Sequence, residues 1–292
     1  MTTPASILIA VDGGGTGCRA VVGTVADGVL GTAKGGPANI NTSFDGTIGN
    51  ILDAVGLALT DASLKDADLA QATAHVGLAG ADTAAIRDRA MAALPFGHCT
   101  VTGDRETSVV GVLGGQDGFV IALGTGTIIA CQRDGIISTV NGWGFDASDH
   151  GSGAWLGHRL ISRVLLSEDG MEPVTPLCAE ISAQMDGLPG LVAFSQRAKP
   201  GDYAKFARDI FKAAKSGDEL ALDLLREGAG FLERGLIALG FKDGDVLSLS
   251  GGVGPHYQPY LSKNFTQNVH PAKGSALDGA FMLAQLAAKQ TA

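Results

Sequence analysis

Ile7-Leu8-Ile9-Ala10-Val11-Asp12-Gly13-Gly14-Gly15-Thr16-Gly17-Cys18-Arg19-Ala20-Val21-Val22 is the stretch that decides the fold. Ile7–Val11 is an apolar, β-branched run and reads as a buried strand. Asp12 ends it, and the chain turns through Gly13, Gly14, Gly15, Thr16 and Gly17. A second strand is expected near Cys18–Val25, an Asp27-Gly28 hairpin turn follows, and a third strand is expected near Val29–Ala33. The device returns downstream as an apolar run Phe119–Leu123, a turn Gly124-Thr125-Gly126-Thr127, a strand Ile128–Cys131, an Asp134-Gly135 turn and a strand Ile136–Val140. An offset of about 110 residues between two such units reads as two related α/β domains meeting near Gln116–Gly118.

The remaining elements fit that plan. Between the two units the pattern predicts a helix from Ser43 toward Leu59, a strand Ala72–Leu78, a helix capped by Asp82 and a strand His98–Thr102. A further helix is expected over Arg105–Leu113. From Asp149 onward helices are expected at Gly153–Leu166, around Glu172–Met185, at Asp202–Lys215 and at Asp218–Leu239. A strand Val246–Ser250 enters Gly251-Gly252-Val253-Gly254. A strand near Phe265–His270 then precedes a closing helix Ala276–Lys289.

Composition narrows the function classes. The chain has 292 residues, 45% hydrophobic and 17% charged, which excludes disorder. The formal charge of −9 argues against a nucleic-acid partner and an anionic membrane. Apolar runs are strand-sized, short of the ~20 residues of a spanning helix. The first residues lack a basic region and a cleavage site, so no signal peptide is expected, and a cytoplasmic location is. Cys18, Cys99, Cys131 and Cys178 are scattered without metal-ligand spacing and read as small buried thiols. Glycine is the outlier at 43 residues, clustered after apolar runs as where backbone must approach something closely.

The Gly-rich turns fail both common phosphate fingerprints. The first opens a strand rather than a helix, and GK[ST] occurs nowhere. A Gly/Thr turn in a hairpin still offers backbone N–H groups and a hydroxyl to a phosphate. Asp12 beside it suits a hydrated Mg²⁺. One such loop reads equally well as an ordinary hairpin; three in order, the third at Gly251-Gly252, do not. Asp104 ends a strand between the phosphate turns and reads either as a helix N-cap or as a base in phosphoryl transfer. Asn141–Asp146 and Ser148–Gly153 read as a polar and aromatic ligand loop. Within it a lone Trp143 reads first as a core aromatic, and His150 as a surface histidine rather than half of a dyad with Asp149. His75, His98, His158, His256 and His270 lack ligand spacing.

Asp12-Gly-Gly-Gly-Thr16, Gly124-Thr-Gly-Thr127 and Ser250-Gly-Gly-Val253 resemble the two phosphate motifs and the adenosine motif of actin-like ATPases of the sugar kinase superfamily. Gly36-Pro-Ala-Asn39, Gly103-Asp104, Gly142-Trp-Gly144, Ser152-Gly-Ala-Trp-Leu-Gly157 and Ser275–Ala280 are more narrowly similar to glucosamine and N-acetylglucosamine kinases. Those kinases sit in the family named after the benzoyl-CoA reductase ATPase subunits, BadF/BadG/BcrA/BcrD. The resemblance covers Ile7–Ala288. It implies an α/β, two-domain actin-like ATPase (ribonuclease H-like duplicated) fold with a central cleft. The domains would be 1–117, completed by a helix near 276–290, and 118–275. It also implies ATP and Mg²⁺ as cofactors and transfer to the 6-hydroxyl of an amino sugar, glucosamine before N-acetylglucosamine. Asp104 would be the base and Asp12 the Mg²⁺ group. Gly13, Gly14, Gly15, Thr16, Gly17, Gly124, Thr125, Gly126, Thr127, Gly251 and Gly252 would hold the nucleotide. Asn39, Asp104, Gly142, Trp143 and Asp149 would contact the sugar. Asp149-His150 stands where N-acetylglucosamine kinases usually carry Asp-Glu. A homodimer is compatible with this reading. Activators of partner reductases carry a cluster-binding cysteine before the second Gly-Thr-Gly turn, where this chain has Val120–Leu123. A sugar sensor would need a DNA-binding module, and with a first strand at Ile7 none is expected.

Overall fold

The computed structural model describes residues 7–291; the leader-free reading of the first six residues lies outside them. In chain order the first elements are β1 (Ile7–Gly13), β2 (Cys18–Thr24), β3 (Gly28–Gly35), α1 (Phe44–Asp61), β4 (Thr73–Leu78), α2 (Ala84–Ala93), β5 (His98–Gly103) and α3 (Asp104–Leu113). Then come β6 (Gly118–Leu123), β7 (Thr127–Arg133), β8 (Ile136–Val140), α4 (Gly153–Glu168), α5 (Pro176–Gln184), α6 (Gly187–Ser195), α7 (Pro200–Ala204), α8 (Ala207–Lys215) and α9 (Glu219–Ala238). β9 (Leu247–Ser250), α10 (Lys263–Thr266), β10 (Val269–His270) and α11 (Ala276–Thr291) complete the chain. One compact unit comprises the described residues up to Gln116 and those from Ala272 onward; the other is Asp117–Pro271.

In the first unit the sheet order is β3-β2-β1-β4-β5, with β1–β2–β3 antiparallel and β1, β4 and β5 parallel. β1 is apolar on both faces because both are covered. Ile9 and Val11 join Cys18, Ala20, Val22 and the buried side of α1, while Leu8, Ala10 and Val21 pack with Ala280 and Phe281 of α11. Strand alternation therefore puts Asp12 and Arg19 on the α11 side. Helices α3 and α11 cross where Gly111 meets the Ser275 carbonyl; a Cβ on Gly111 would lie 1.9 Å from that oxygen. Asp278 accepts from the Ser275 N–H and hydroxyl at 2.7 Å, which starts α11 there.

The second unit has sheet order β10-β9-β6-β7-β8, again with an antiparallel hairpin set and a parallel partner, β9 beside β6. Phe119, Ile121, Leu123 and Ile129 face a core built largely from α4, α5, α8 and α9. This is the duplicated α/β architecture of the actin-like ATPases.

Several expectations change. Thr83, not Asp82, caps α2, its hydroxyl accepting from the Ile86 N–H at 3.4 Å. The helix expected over Asp202–Lys215 is two helices, α7 and α8, that part at Lys205-Phe206. Phe265 lies in α10, so the last strand shrinks to Val269–His270. Helix α6, rich in Gly and apolar residues, carried no amphipathic period to reveal it.

Candidate active site

In the first unit the site grows from the carboxyl ends of three parallel strands. The Gly14 N–H donates to the Gly17 carbonyl at 2.9 Å, closing the first Gly turn. The Gly13 and Gly14 carbonyls accept from the Ala79 and Ala38 N–H groups at 2.8 Å. These bonds, with a single parallel bridge between Asn39 and Ala79, stitch residues 38–40 beside the ends of β1 and β4. Asn39 thus arrives next to the turn, its amide oxygen accepting from the Asn41 N–H at 3.0 Å. Gly15 and Thr16 are exposed, and no atom lies within 4 Å of where a Gly15 Cβ would be.

Asp104 follows β5 directly. Asp12 is level with Gly77 and Thr102 across β1, β4 and β5, so Asp104 stands two strand spacings, about 10 Å, to the side of it and two residues further along the chain direction. The cap reading of Asp104 is corrected by its position. The N-cap of α3 is Gly103, and Asp104 is the first helical residue. Burial pushes its carboxyl above the usual carboxylate range; Arg105 opposes this, while Asp12 and Asp82 add to it. A carboxylate raised in this way is a stronger proton acceptor than an ordinary surface one.

Asp12 is 17% exposed and ion-pairs with Arg19, Nη2 to Oδ2, at 2.5 Å. Among the described residues no cluster of three or more His, Cys, Asp or Glu could cage a metal. One carboxylate facing an open Gly turn still fits Mg²⁺, which is commonly held by one or two carboxylates plus substrate phosphates and water. The cation already paired with Asp12 shows that this position accepts positive charge.

In the second unit the Gly124 N–H donates to Gly126 O at 3.0 Å. The Gly124 and Thr125 carbonyls accept from the first N–H groups of α4, Gly153 and Ala154, at 2.8 and 3.3 Å. Ser152 caps that helix. Thr127 is buried and donates to the His150 carbonyl at 3.0 Å. Asp149 is buried, with a left-handed φ of 59°, and its Oδ2 would lie 3.0 Å from a Cβ on Gly126. The loop that presents it is tied by Ser148, whose hydroxyl donates to the Asn141 amide oxygen. Asn141 shares the left-handed φ of Asp149, and Gly142, Gly144 and Gly151 adopt positive φ at no steric cost, so the loop turns repeatedly around two non-glycine residues in the left-handed region.

Two aromatic readings are overturned here. Trp143 is 74% exposed, so it is not a core residue. His150 is half-buried rather than freely exposed: its ring stacks on Phe231 at 4.0 Å and 27°, and burial with Arg234 pushes its pKa down.

The third Gly turn closes on the second. Val253 N–H donates to Leu123 O at 2.9 Å, and Gly251 has φ 77°, where a Cβ would lie 2.2 Å from that oxygen. Gly124, Thr125, Gly252 and Val253 border a cavity of about 890 Å³, within the size range of small-molecule sites. Its other wall was not read from the sequence: Lys205, Arg208, Lys212 and Lys215, with Asp209, Phe211 and His256. The spacing 205, 208, 212, 215 repeats at helical period and was the available signal. Lys205 is ion-paired with Asp202 at 2.8 Å, and Arg208, Lys212 and Lys215 face the cavity with the one carboxylate of Asp209, so positive charge is in excess here in a chain of net charge −9.

Asp12, the first turn, Asn39 and Asp104 therefore gather in one unit. Gly124–Thr127, Asp149, Gly251 and Gly252 gather in the other, with Gly142 and Trp143 on its loop.

Residues 9–282 match the BadF/BadG/BcrA/BcrD ATPase family. A glucosamine kinase of Vibrio cholerae, GspK, is 34% identical over 278 residues, covering 94% of this chain and 95% of that protein. An N-acetylmuramic acid/N-acetylglucosamine kinase of Clostridium acetobutylicum is 26% identical over 234 residues, 76% of this chain and 75% of its own. A solved structure from Chromobacterium violaceum, described as a candidate N-acetylglucosamine kinase, superposes with TM-score 0.83 at 29% identity over 96% of this chain and 99% of that one. With turns, strand order and sequence in agreement over nearly its full length, the chain belongs to the BadF/BadG/BcrA/BcrD ATPase family.

Proposed function

We propose that the protein is an amino-sugar kinase that transfers the γ-phosphoryl group of ATP to the 6-hydroxyl of glucosamine, with N-acetylglucosamine as the second choice. The observation that carries this reading is Asp104: a carboxylate at the end of a parallel strand, raised by burial and free of cap duty. It takes the proton of the sugar hydroxyl as that oxygen bonds to Pγ and ADP leaves. The kinship with a glucosamine kinase along 94% of the chain supports the substrate class.

The other residues position and stabilise. Within Gly13–Gly17 and Gly124–Thr127, the exposed Gly15–Thr16 stretch and Thr125 would offer N–H groups and hydroxyls to phosphate oxygens, while the Gly14 and Gly124 N–H groups and the Thr127 hydroxyl, bonded within the protein, shape the turns. Gly251 and Gly252 lie against the adenosine, and the Lys205–Lys215 side of the cavity answers the nucleotide's charge. Asp12 would hold Mg²⁺, which when bound would neutralise charge on the phosphate oxygens. Asn39, Gly142, Trp143 and Asp149 orient the sugar. The run Ser152-Gly-Ala-Trp-Leu-Gly157 favours the free amine, and His150, where N-acetylglucosamine kinases usually carry Glu, leaves the acetyl group open. A cytoplasmic setting, where ATP and reduced thiols are found, suits this chemistry.

A coupled ADP-release assay over hexoses, glucosamine and N-acetylglucosamine tests the reading, with the position of the product's phosphate assigned by phosphorus–proton correlation. Turnover is expected to be greatest with glucosamine and the phosphate to be on O6. A flat panel overturns the kinase; a phosphate on another oxygen overturns the regiochemistry.

A further inference from the structure

Arg19 lies directly opposite Asp12 in the β1–β2 hairpin, two residues after the exposed end of the first Gly turn. The Arg19 side chain is 48% exposed, whereas that of Asp12, which it holds at 2.5 Å, is 17% exposed. The pair is therefore asymmetric: Asp12 is fixed at the strand end and needs a cation, while Arg19 is on a long side chain with room to leave. A half-exposed pair adds little to stability. A guanidinium beside backbone that receives phosphate adds much more, because its planar fork matches phosphate oxygens.

Resting on the assignment of Asp12 to Mg²⁺, we propose that Arg19 is a built-in counter-ion that exchanges partners on nucleotide binding. It neutralises Asp12 in the nucleotide-free chain and moves to the terminal phosphate when Mg²⁺·ATP arrives. Asp12 and a triphosphate together need two cations. With metal present, Mg²⁺ and Arg19 supply both; without it, Arg19 must serve one and leave the other bare. Removing Arg19 makes nucleotide binding more dependent on metal, and reciprocally makes the nucleotide complex bind metal more tightly.

Calorimetric titration of the whole protein with a non-hydrolysable ATP analogue, in excess chelator and in Mg²⁺, tests this without reference to turnover. For Arg19→Gln we expect affinity in chelator to fall about tenfold or more, the size of one charge-assisted contact, and to fall distinctly less in Mg²⁺. The Mg²⁺ concentration for half-maximal activity should drop. Arg19→Lys, which keeps the charge and loses the fork, should recover part of the chelator-condition binding, and melting curves confirm that both variants fold. Affinity within about twofold of the parent under both conditions would make Arg19 a sheet-face partner only and overturn the proposal. An equal loss with and without metal would mean a fixed phosphate contact with no exchange, and overturns it too. If the binding pattern holds but no sugar is phosphorylated, the kinase reading fails and the exchange stands.

Discussion

The two hairpin turns look alike in sequence and differ in everything that surrounds them. Asp12 precedes the first; Leu123, fully buried, precedes the second. The carbonyls of the first turn are tied to the loop at Ala38 and to Ala79, and its outer rim stays open. Those of the second accept the N-terminal N–H groups of α4. The first turn keeps acidic company, Asp12 and Asp104, relieved by Arg19. The second borders a cavity rimmed by four cations. A duplicated backbone device thus sits in two different settings, and the non-duplicated side chains set them apart: carboxylates beside the turn in one unit, an excess of cations beside it in the other.

The largest expected effect tests the acidic half. Asp104→Asn preserves volume and removes the base, so kcat should fall by about 100-fold or more with nucleotide affinity retained. Because burial raises the Asp104 pKa, the folded state holds its proton more tightly than the unfolded chain does. Its ionised form therefore costs stability as pH rises through the folded pKa. The variant should melt at the same temperature as the parent or higher at pH 7, the gap closing as pH falls below the ordinary carboxylate value of 3.8. Turnover within a few-fold of the parent would move the base elsewhere, with Asp149 as the remaining candidate.

A smaller effect separates packing in the two halves. Gly251→Ala places a side chain at φ 77° and 2.2 Å from the Leu123 carbonyl, so backbone must move. We expect about 1–3 kcal/mol of lost stability and a raised KM for ATP. Gly15→Ala, in open space without positive φ, should leave the melting temperature nearly unchanged and act on nucleotide binding alone. Equal melting shifts for the two would break the contrast between a turn packed on β6 and one open to ligand.

The smallest effect on stability is expected at Trp143. A core tryptophan cut to alanine costs about 3–5 kcal/mol; with 74% of its surface exposed, Trp143→Ala should cost no more than about 0.5 kcal/mol. A rise in sugar KM with an unchanged melting curve would place it on the substrate. A loss of several kcal/mol would return it to the core.

The sequence by itself determined the architecture and the order of the turns. Both rest on local signals: β-branched runs that alternate within a strand, Gly/Thr and Asp-Gly turns that recur, and a cap such as Ser43 whose hydroxyl accepts from the Gly46 N–H at 3.2 Å. It also offered the carboxylates Asp12 and Asp104 as candidates, since strand ends are visible in one dimension. Only tertiary structure decided what each does locally. Gly103 rather than Asp104 proved to be the cap because a helix begins where φ and ψ turn, which a shift of one residue hides. Trp143 proved exposed and His150 half-buried against Phe231 because burial depends on which loop face meets α9, and no periodicity encodes that in an irregular segment. Lys205, Arg208 and Lys212 became a wall of the cavity only when α7 and α8 folded back beside Gly124 and Gly252, forty or more residues away on either side. Contacts of that range are set by packing of whole elements, and the pairing of Arg19 with Asp12 likewise awaited the hairpin register that put them face to face.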